Sequence, residues 1–362
     1  MKKSLIALAV LAASGASFAQ SSVTLYGIAD VWFGSSKVEV DGSSLTNTAV
    51  DSGGVNTSRW GLKGSEDLGG GLKANFQLEQ GFDLSTGAAQ DKSKAFNRQA
   101  WVGLSGGFGE VQLGKVWTSY DDIRSSANDT FNANIASSFA TWVGYSDRTD
   151  NGIKYTSPTF GGVSGSLTYA LGEDKTATTS ASSVLSLGLQ YANGPVFVGF
   201  AHQQQKQNGA NGVFSALPGF LPSDLGAALT AELVAVADFE KTTYNLINGS
   251  YDFGAAKVVG GYNQVKQTFA LTSGELKAKE YNLGVEVPVA KNLKVGLGYA
   301  RSDVEGGGQD LFETTGYSAA AVYSLSKRTA LYAALTGTKL EDADNTSTVK
   351  SRLFAVGVNH SF

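Results

Sequence analysis

The side chains that carry out acid–base and metal chemistry are scarce in this sequence. Its 362 residues include two histidines, His202 and His360, and no cysteine. A catalytic nucleophile needs a base beside it, and neither histidine has a serine and an acid at a suitable local spacing. Two histidines without cysteine also do not supply the ligand cluster that a transition metal requires. The sequence therefore predicts a protein that is not an enzyme and that has no cofactor and no metal.

A second kind of chemistry, the steering of ions and polar solutes by fixed charges, is better represented. Arg59 and Arg98 lie in segments that alternate apolar and polar residues. Residues 115–150 form the longest stretch of the first half without sustained alternation, and they carry three candidate acids: Asp121, Asp122 and Asp129. Cations and carboxylates that face one another across water create a field that orients solutes. Whether these charges meet depends on the elements that carry them.

The first 19 residues have the composition of a secretory signal. Two lysines precede an apolar run, and the segment closes on Ser17, Phe18 and Ala19, a small-x-small cleavage pattern. The apolar run is too short for a spanning helix. We expect cleavage after Ala19, so that residues 20–362 form a single domain beginning at Gln20. An exported chain without cysteine must be stabilised by packing and hydrogen bonds rather than by disulfides.

The remaining chain shows the weaker pattern of a transmembrane β-barrel. No apolar run of about 18 residues follows the leader, which argues against spanning helices. Segments of about ten residues alternate apolar and polar side chains between turns, most clearly in ANFQLEQGF (74–82). Such a sheet must close, because every backbone N–H and C=O in lipid needs a partner. The net charge of −4 and the lack of a polybasic run argue against nucleic acid as a partner.

The alternating segments predict 16 strands. An opening strand (23–33) is followed by a polar loop at about 34–54, by seven pairs of strands joined through tight turns, and by a closing strand (351–362). Outer-membrane barrels have even strand counts, short periplasmic turns and longer extracellular loops, and barrels of this size enclose water. The expected fold class is all-β: a 16-stranded antiparallel transmembrane β-barrel. The third long connection between these strands, 115–150, has a length that is usually functional or disordered.

One other long loop, 203–240, has a different pattern. In PSDLGAALTAELVAVADF (222–239), the leucines and Val236 fall on one helical face, and Ser223 is placed to cap the helix. We interpret this segment as an extracellular loop helix packed on the mouth of the barrel. A helix that binds a partner is the alternative interpretation.

Five motifs carry a family resemblance: SSVTLYGIAD (21–30), SRWGLKGSEDLGGGLKANFQLEQGF (58–82), FNRQAWVGLSGGFGEVQLGK (96–115), YSLSKRT (323–329) and FAVGVNHSF (354–362). Through them the chain resembles the Gram-negative general porins, specifically the trimeric sixteen-stranded porins of the β-proteobacterial type. The resemblance covers the strands and turns and lapses in the long loops. It implies an outer-membrane channel for passive diffusion of ions and small hydrophilic solutes, usually a homotrimer, in which the third extracellular loop narrows the pore.

The resemblance also implies a basic wall at the constriction. By motif, Arg59, Arg98 and Arg148 match this wall, and Lys63 shares the strand face of Arg59 two positions nearer the periplasm. Lys154 in the sixth strand is a further candidate. The acids that would face the wall are Asp121, Asp122 and Asp129. The Pro-Glu-Phe-Gly run of the enteric porin loop is absent, and Asp129 is matched by its distance from the preceding strand.

Strand parity gives independent support for two of the wall residues. Trp60 lies on the strand face opposite Arg59, and Trp101 lies at the parity opposite Arg98. If the tryptophans face lipid, both arginines face the lumen. The reverse arrangement would place a guanidinium in lipid at a cost of roughly 2–4 kcal/mol near the midplane.

The family resemblance implies the partners as well. They are two further copies of the chain, outer-membrane lipid and lipopolysaccharide, and an outer-membrane assembly machinery that recognises the C-terminal strand ending at Phe362. Two other functions stay open: a surface interaction protein such as an adhesin on a closed barrel, and a solute-specific porin with an aromatic slide in the 115–150 loop. Ion preference also stays open, because the wall favours anions and the net charge favours cations.

Overall fold

The computed structural model describes residues 22–177, 180–206, 239–269, 274–344 and 346–362. The predicted signal over 1–19 lies outside these residues, and so does the predicted loop helix over 222–239 apart from its last position. No helix in the described part of the chain is long and apolar enough to cross a membrane. The described residues form seventeen strand segments, two short helices and one 3₁₀ turn.

The strand segments are β1 (Ser22–Val40), β2 (Ser43–Ser52), β3 (Arg59–Gly69), β4 (Leu72–Gly81), β5 (Gln99–Gly106), β6 (Gly109–Trp117), β7 (Arg148–Thr156), β8 (Val163–Leu171), β9 (Ser183–Asn193), β10 (Val196–Lys206), β11 (Phe239–Asp252), β12 (Lys257–Phe269), β13 (Glu275–Ala290), β14 (Leu293–Gly306), β15 (Gln309–Ser324), β16 (Thr329–Asp342) and β17 (Thr348–Ser361). Between β6 and β7 lie α1 (Ser119–Ser126), the 3₁₀ turn (Thr130–Asn132) and α2 (Ser137–Thr141).

All these strands belong to one antiparallel sheet that closes on itself. The closure joins β17 to β1. β2 and β3 are two parts of the same wall strand, because β1 pairs with β3 over Ser22–Ile28 and with β2 over Val31–Val40. The described wall is therefore a barrel of 16 antiparallel strands, which confirms the predicted fold class.

The two faces of the sheet differ as the alternation predicts. In β9, Leu185, Leu187 and Leu189 point outward and remain 38–51% exposed, whereas Ser186 is fully buried. A strand has a side-chain period of two, so each such segment presents an apolar outer face and a small or polar inner face. The apolar face is suited to lipid and the other lines the lumen.

The polar loop predicted at about 34–54 is wrong. β1 continues to Val40, a two-residue turn at Asp41 and Gly42 reverses the chain, and β2 runs antiparallel to it. Both turn residues have positive φ, +47° and +88°, which is the geometry of the hairpin turn favoured by Asp-Gly. The segment is rich in Ser and Thr and reads as a loop by composition. The Asp-Gly pair between two alternating runs was the signal of the hairpin.

Residues 53–58 interrupt the second wall strand, and Asp30 of β1 binds this interruption. Its carboxylate is fully buried and accepts hydrogen bonds from the backbone N–H groups of residues 54, 55 and 56 at 2.9–3.2 Å. It also accepts from Tyr332 Oη at 2.6 Å and Asn359 Nδ2 at 2.8 Å. Five hydrogen-bond donors thus surround one carboxylate where β1 and β17 meet. The backbone N–H groups of residues 54–56, which have left the sheet, find their hydrogen-bond acceptor in this carboxylate.

The last residue takes part in the barrel closure. Phe362 exchanges two backbone hydrogen bonds with Gly27, each at 3.0 Å. A Cβ on Gly27 would overlap the Phe362 ring, so glycine is needed for this close approach. The sheet is consequently hydrogen-bonded to the end of the chain.

Candidate functional site

The connection between β6 and β7, residues 118–147, lies inside the barrel. The N–H of Tyr120 donates to a serine hydroxyl of β9 at 2.8 Å. The N–H of Phe131 donates to a glutamate of β13, also at 2.8 Å. The side-chain amide of Asn134 donates at 2.9 Å to a carbonyl in the 53–58 interruption. Only the lumen borders all three parts of the wall, so this connection occupies and narrows the channel.

Glycines on the inner face allow the connection to pack closely on β14. A Cβ on Gly298 would overlap the carboxylate of Asp129, and one on Gly296 would lie 2.9 Å from the Phe131 ring. Side chains at these positions would therefore displace the connection toward the pore axis. The lack of a side chain at these two positions sets the width that remains open beside the loop.

Helix α1 carries two of the predicted acids in its first turn. Thr118 caps the helix, and its hydroxyl accepts a hydrogen bond from the N–H of Asp121 at 3.3 Å. Asp121 and Asp122 stand near the positive end of the helix dipole, where carboxylates are favoured. The helix therefore presents acids toward one part of the barrel wall.

A cavity of about 470 Å³ brings the predicted cations and acids together. Arg59 at the start of β3, Arg98 just before β5 and Arg148 at the start of β7 line one side. Asp121 and Asp122 of α1 also line it. Five of the seven residues predicted for the constriction thus share one water-accessible space between the wall and the loop.

Glu79 is a buried partner of the wall arginines that the sequence analysis did not single out. Its Oε1 accepts a 2.7 Å hydrogen bond from Arg98 Nε, and its Oε2 lies 3.7 Å from Arg59 Nε. Tyr26 Oη donates to the same Oε2 at 2.9 Å. The alternation in β4 already placed Glu79 on the inner face, so its parity with Arg59 was the available signal.

Arg98 lines the cavity, but the parity argument used for it was wrong. Val102 and Leu104 are the exposed outward residues of β5, so Trp101 lies on the inner face. Arg98 nevertheless reaches Glu79 because the chain is irregular there. The N–H of Arg98 donates to the carbonyl of Glu79, and Gln99 is paired with Glu79 as well. Two consecutive residues, Arg98 and Gln99, are therefore opposite a single residue of β4. Such a bulge redirects a side chain.

The indole ring of Trp117 contacts two of the arginines. The Arg148 guanidinium carbon lies 3.6 Å from the centre of the indole ring, and that of Arg98 lies 5.8 Å away. Stacking on an aromatic face favours a planar guanidinium. Asp147 adds a 2.8 Å ion pair to Arg148 Nη1. The ring and the acid together restrict Arg148 at the edge of the cavity.

Asp121 is a titratable group that lines the cavity. Its Oδ1 accepts a hydrogen bond from Tyr145 Oη at 2.5 Å. Burial inside the barrel, followed by repulsion from Asp147, raises the pKa of Asp121 to about 7. The charge of this carboxyl therefore changes near neutral pH.

Asp122 is paired with the wall. Its Oδ2 lies 2.6 Å from Nζ of Lys154, whose side chain is 8% exposed. Lys154 thus takes part in the contact between loop and wall rather than standing free in the pore. The pair offsets one negative charge of the loop.

Asp129 lies elsewhere, and its predicted place at the constriction is corrected. It is fully buried and does not line the cavity. Its carboxylate accepts hydrogen bonds from the hydroxyl and the N–H of Ser137 and from the N–H of Ser138. These N–H groups begin α2, whose own N-cap residue has no side-chain bond. Asp129 therefore stabilises the loop from within, because a capping carboxylate satisfies helix N–H groups.

Lys63 shares the inner strand face of Arg59 but lies outside the cavity. Its Nζ is 5.3 Å from the centre of the Tyr26 ring. It pairs across the sheet with Thr24 and Gln77, nearer the short-turn end of the barrel. Lys63 therefore lies between the cavity and the short-turn end of the barrel.

Arg124 holds the aromatic side chains of the loop together. Its guanidinium carbon lies 4.6–5.4 Å from the ring centres of Phe139, Trp142 and Tyr145. The side chain is buried and also donates to the Ser138 carbonyl at 3.4 Å. These contacts describe a packed core of the loop, which argues against an aromatic slide.

The two histidines have partners of ordinary polar type. His202 Nδ1 lies 2.8 Å from Asn245 Oδ1, and His360 Nδ1 lies 2.9 Å from Thr329 Oγ1. In the ranges that the structure describes, no group of three or more metal-ligating side chains occurs.

Known proteins resemble this chain over most of its length. A family model described as Gram-negative porin matches residues 5–343. Outer membrane porin protein 32 of Delftia acidovorans is 36% identical over 374 residues, covering 99% of this chain and 95% of that protein. An outer membrane porin protein of Bordetella pertussis is 31% identical over 405 residues, covering 100% of both chains.

Solved structures show the same architecture. The anion-selective porin from Comamonas acidovorans superposes with a TM-score of 0.75 at 30% identity, covering 95% of this chain and 100% of that one. The trimer form of OmpT from Vibrio cholerae has a TM-score of 0.66 at 16% identity, covering 94% of this chain and 99% of that one. The second likeness is one of fold alone.

Proposed function

The chain belongs to the Gram-negative porin family, and we propose from this premise that its channel is narrowed between the wall arginines and the 118–147 loop, where it prefers anions. The protein is an outer-membrane barrel that lets ions and small hydrophilic solutes pass by diffusion. The proposal concerns which residues form the narrow section and which sign of charge they favour.

The observation that carries the proposal is the placement of three arginines along one side of the cavity. Arg59, Arg98 and Arg148 contribute three positive charges there. Arg124 of the loop adds a fourth positive charge to the lining. Glu79 offsets the charge of Arg98, Asp147 offsets that of Arg148, and Lys154 offsets the negative charge of Asp122. Near neutral pH part of the Asp121 population is uncharged, because its pKa is about 7. The local charge is therefore positive although the whole chain is acidic, and local charge governs selectivity in a narrow pore.

A relative supports the preference for anions. The Comamonas acidovorans protein with the same fold and 30% identity is described as anion-selective. Net charge of the chain carries less weight, because exposed charges more than about 10 Å from the permeating ion are largely screened at ordinary salt.

The test is the reversal potential of the channel in a planar bilayer under a salt gradient. We expect nearly linear conductance and a reversal potential on the anion side. Replacement of Arg59 or Arg98 by Glu should move it toward cations. A cation-selective wild-type channel, or an unchanged potential in both variants, would falsify the proposed constriction. Absence of conductance would instead favour an adhesin on a closed barrel.

The assembly and processing of the protein follow as further parts of the proposal. We infer a homotrimer, cleavage after Ala19 and recognition of the C-terminal strand by the outer-membrane assembly machinery. The family relationship supports the trimer, and the backbone hydrogen bonds between Phe362 and Gly27 in the sheet support recognition of that strand. We infer no catalytic role for the barrel. The hydrogen bonds of His202 with Asn245 and of His360 with Thr329 support this inference.

A further inference from the structure

We propose that the channel holds, on the extracellular side of the arginine cavity, a binding site for the amino end of short peptides with apolar side chains. This ammonium pocket is a cavity of about 660 Å³ lined by Trp32, Asp51 and Phe139 together with other residues of β1, β2 and the 118–147 connection. The site presupposes that the barrel is a channel. It is independent of the proposed anion preference, because Asp51 does not line the arginine cavity.

The pocket lies on the inner face of the sheet, above the arginine cavity. Phe33 is 55% exposed on the outer face of β1, so its neighbour Trp32 faces inward. Along β1, Ile28 is paired with Arg59, and Trp32 is paired with Asp51. Four strand positions separate these two levels, which corresponds to about 13 Å. From the arginine level β3 runs on to a short turn, and such turns are periplasmic. A solute that enters from outside therefore reaches the pocket first.

A pair of small residues forms the depression in the wall. Gly34 of β1 lies directly opposite Ala49 of β2 on the inner face. Trp32 and Asp51 stand beside this pair on one side, and Asn47 stands on the other. Because no side chain longer than a methyl group rises between these two rows, the sheet leaves room there for part of a solute.

The side of the pocket that faces this depression is apolar. Ile135 and Phe139 of the connection line it, and so does Leu353 of β17. Ile135 and Leu353 belong to a buried apolar cluster against which Trp32 packs. A surface of this kind binds aliphatic and aromatic side chains, because their removal from water is favourable. A charged solute without an apolar part would leave this surface unused.

Asp51 supplies the charge of the pocket. Its Oδ1 accepts a hydrogen bond from the N–H of Ser52 at 2.7 Å, and no cation in the described part of the chain forms an ion pair with it. Trp32 lies directly opposite Asp51, and directly opposed residues have Cβ atoms about 5 Å apart. A carboxylate beside an indole ring attracts an organic ammonium group through its charge and through the cation–π interaction.

The arginine cavity sets the length of the solute. The two cavities meet at the connection, because Asn134 and Phe139 line both. A peptide whose ammonium group lies at Asp51 therefore extends its carboxylate toward Arg59. An extended chain spans at most about 3.5 Å per residue, so about three residues cover the separation once the reach of the two side chains is included. A single amino acid would reach only one of the two charges.

The experiment measures interruptions of the ion current through the full-length channel in a planar bilayer while peptide is added on the extracellular side. The probes are the tripeptide alanyl-leucyl-alanine, the same peptide acetylated at its amino end, and triglycine. Asp51→Asn should bind the first peptide about three- to fivefold more weakly than wild type, as expected for one exposed ion pair. It should bind the acetylated peptide no more weakly than wild type does, because that peptide has no ammonium group. Triglycine should bind wild type more weakly than alanyl-leucyl-alanine does.

Conservative variants and a matched control separate the pocket from general effects of charge. Asp51→Glu and Trp32→Phe should retain most of the binding, whereas Trp32→Leu should lose part of it. Glu39→Gln removes the same charge from the outer face of β1 and should bind all three peptides as wild type does.

Three results would overturn the ammonium pocket. They are wild-type binding of alanyl-leucyl-alanine by Asp51→Asn, an equal loss for the acetylated peptide, and an equal loss in Glu39→Gln. Reversal potentials of the same channels in a salt gradient report separately on anion preference. A cation-selective channel that still shows the Asp51-dependent loss would contradict the proposed preference and leave the pocket in place.

Discussion

Nε of Arg98 lies 2.7 Å from Oε1 of Glu79, and both side chains are almost completely buried in the barrel wall. The basic wall of the proposed constriction therefore contains a carboxylate of its own. Charge-assisted hydrogen bonds of this geometry are roughly twice as strong as neutral ones. Glu79 fixes the direction of Arg98 and at the same time lowers the positive charge that a passing ion meets.

Replacement of Glu79 by Gln should increase anion selectivity. A unit charge about 6 Å from an ion is worth about 0.7 kcal/mol in water, which corresponds to about threefold in the anion-to-cation permeability ratio. The reversal potential of Glu79→Gln channels measures this. The control Glu110→Gln removes an equal charge from the inner wall outside the cavity and should change the ratio far less. A lower ratio in Glu79→Gln would mean that Arg98 has left the pore.

Selectivity should also depend on pH through Asp121. The pKa of about 7 lies above the ordinary value, so the carboxyl is mostly neutral at acidic pH and ionised at alkaline pH. Anion preference should therefore rise as the pH falls through neutrality. Reversal potentials measured from about pH 5.5 to about 8.5 should show this change in wild type and in Asp122→Asn. Persistence of the same change in Asp121→Asn would assign it to another group.

Removal of the Trp117 ring should make the Arg148 side chain more mobile. The stack with Arg148 contributes about 0.5–2 kcal/mol. Without it the guanidinium should sample more positions, which raises open-channel noise and lowers anion preference. Single-channel recordings of Trp117→Leu test this, with Trp117→Phe as the variant that retains an aromatic face. Recordings of Trp117→Leu that match wild type would show that Asp147 alone positions Arg148.

A methyl group at Gly298 should move the loop. The new Cβ would overlap the Asp129 carboxylate, so the 118–147 connection must shift toward the pore axis. Overpacking of this kind costs about 1–3 kcal/mol, and conductance should fall. In the control Gly165→Ala the nearest atom to the new Cβ is 3.4 Å away, so conductance should stay unchanged. Wild-type conductance of Gly298→Ala would mean that the loop does not restrict the current.

The strand faces could be predicted from sequence because a period of two leaves a direct trace. Arg59, Trp60 and Leu62 lie on the faces that the alternation assigns to them. The same reasoning failed at Trp101, because a bulge beside Arg98 changes the parity and leaves no mark in the composition. It failed again over 34–54, where Ser and Thr in a strand resemble a loop.

The placement of the loop acids could not be predicted in full. Asp121, Asp122 and Asp129 are chemically alike in sequence and lie within nine positions. Their separate roles arise from contacts with distant parts of the chain, including Lys154 and Gly298. Such contacts depend on how the loop is seated, which local spacing does not specify. Glu79 was accessible by parity, but its pairing with Arg98 depends on the bulge.

The Asp30 junction has a consequence for the order of folding. Its donors Tyr332 and Asn359 are separated from it by 302 and 329 positions in the chain. The 53–58 segment that it binds is also the segment to which Asn134 is hydrogen-bonded. Contacts of such long sequence separation form slowly, because chain closure must precede them. We therefore expect the part of the 118–147 loop around Asn134 to reach its final position only after β17 has paired with β1. A barrel that has not yet closed should then differ in conductance from the finished barrel.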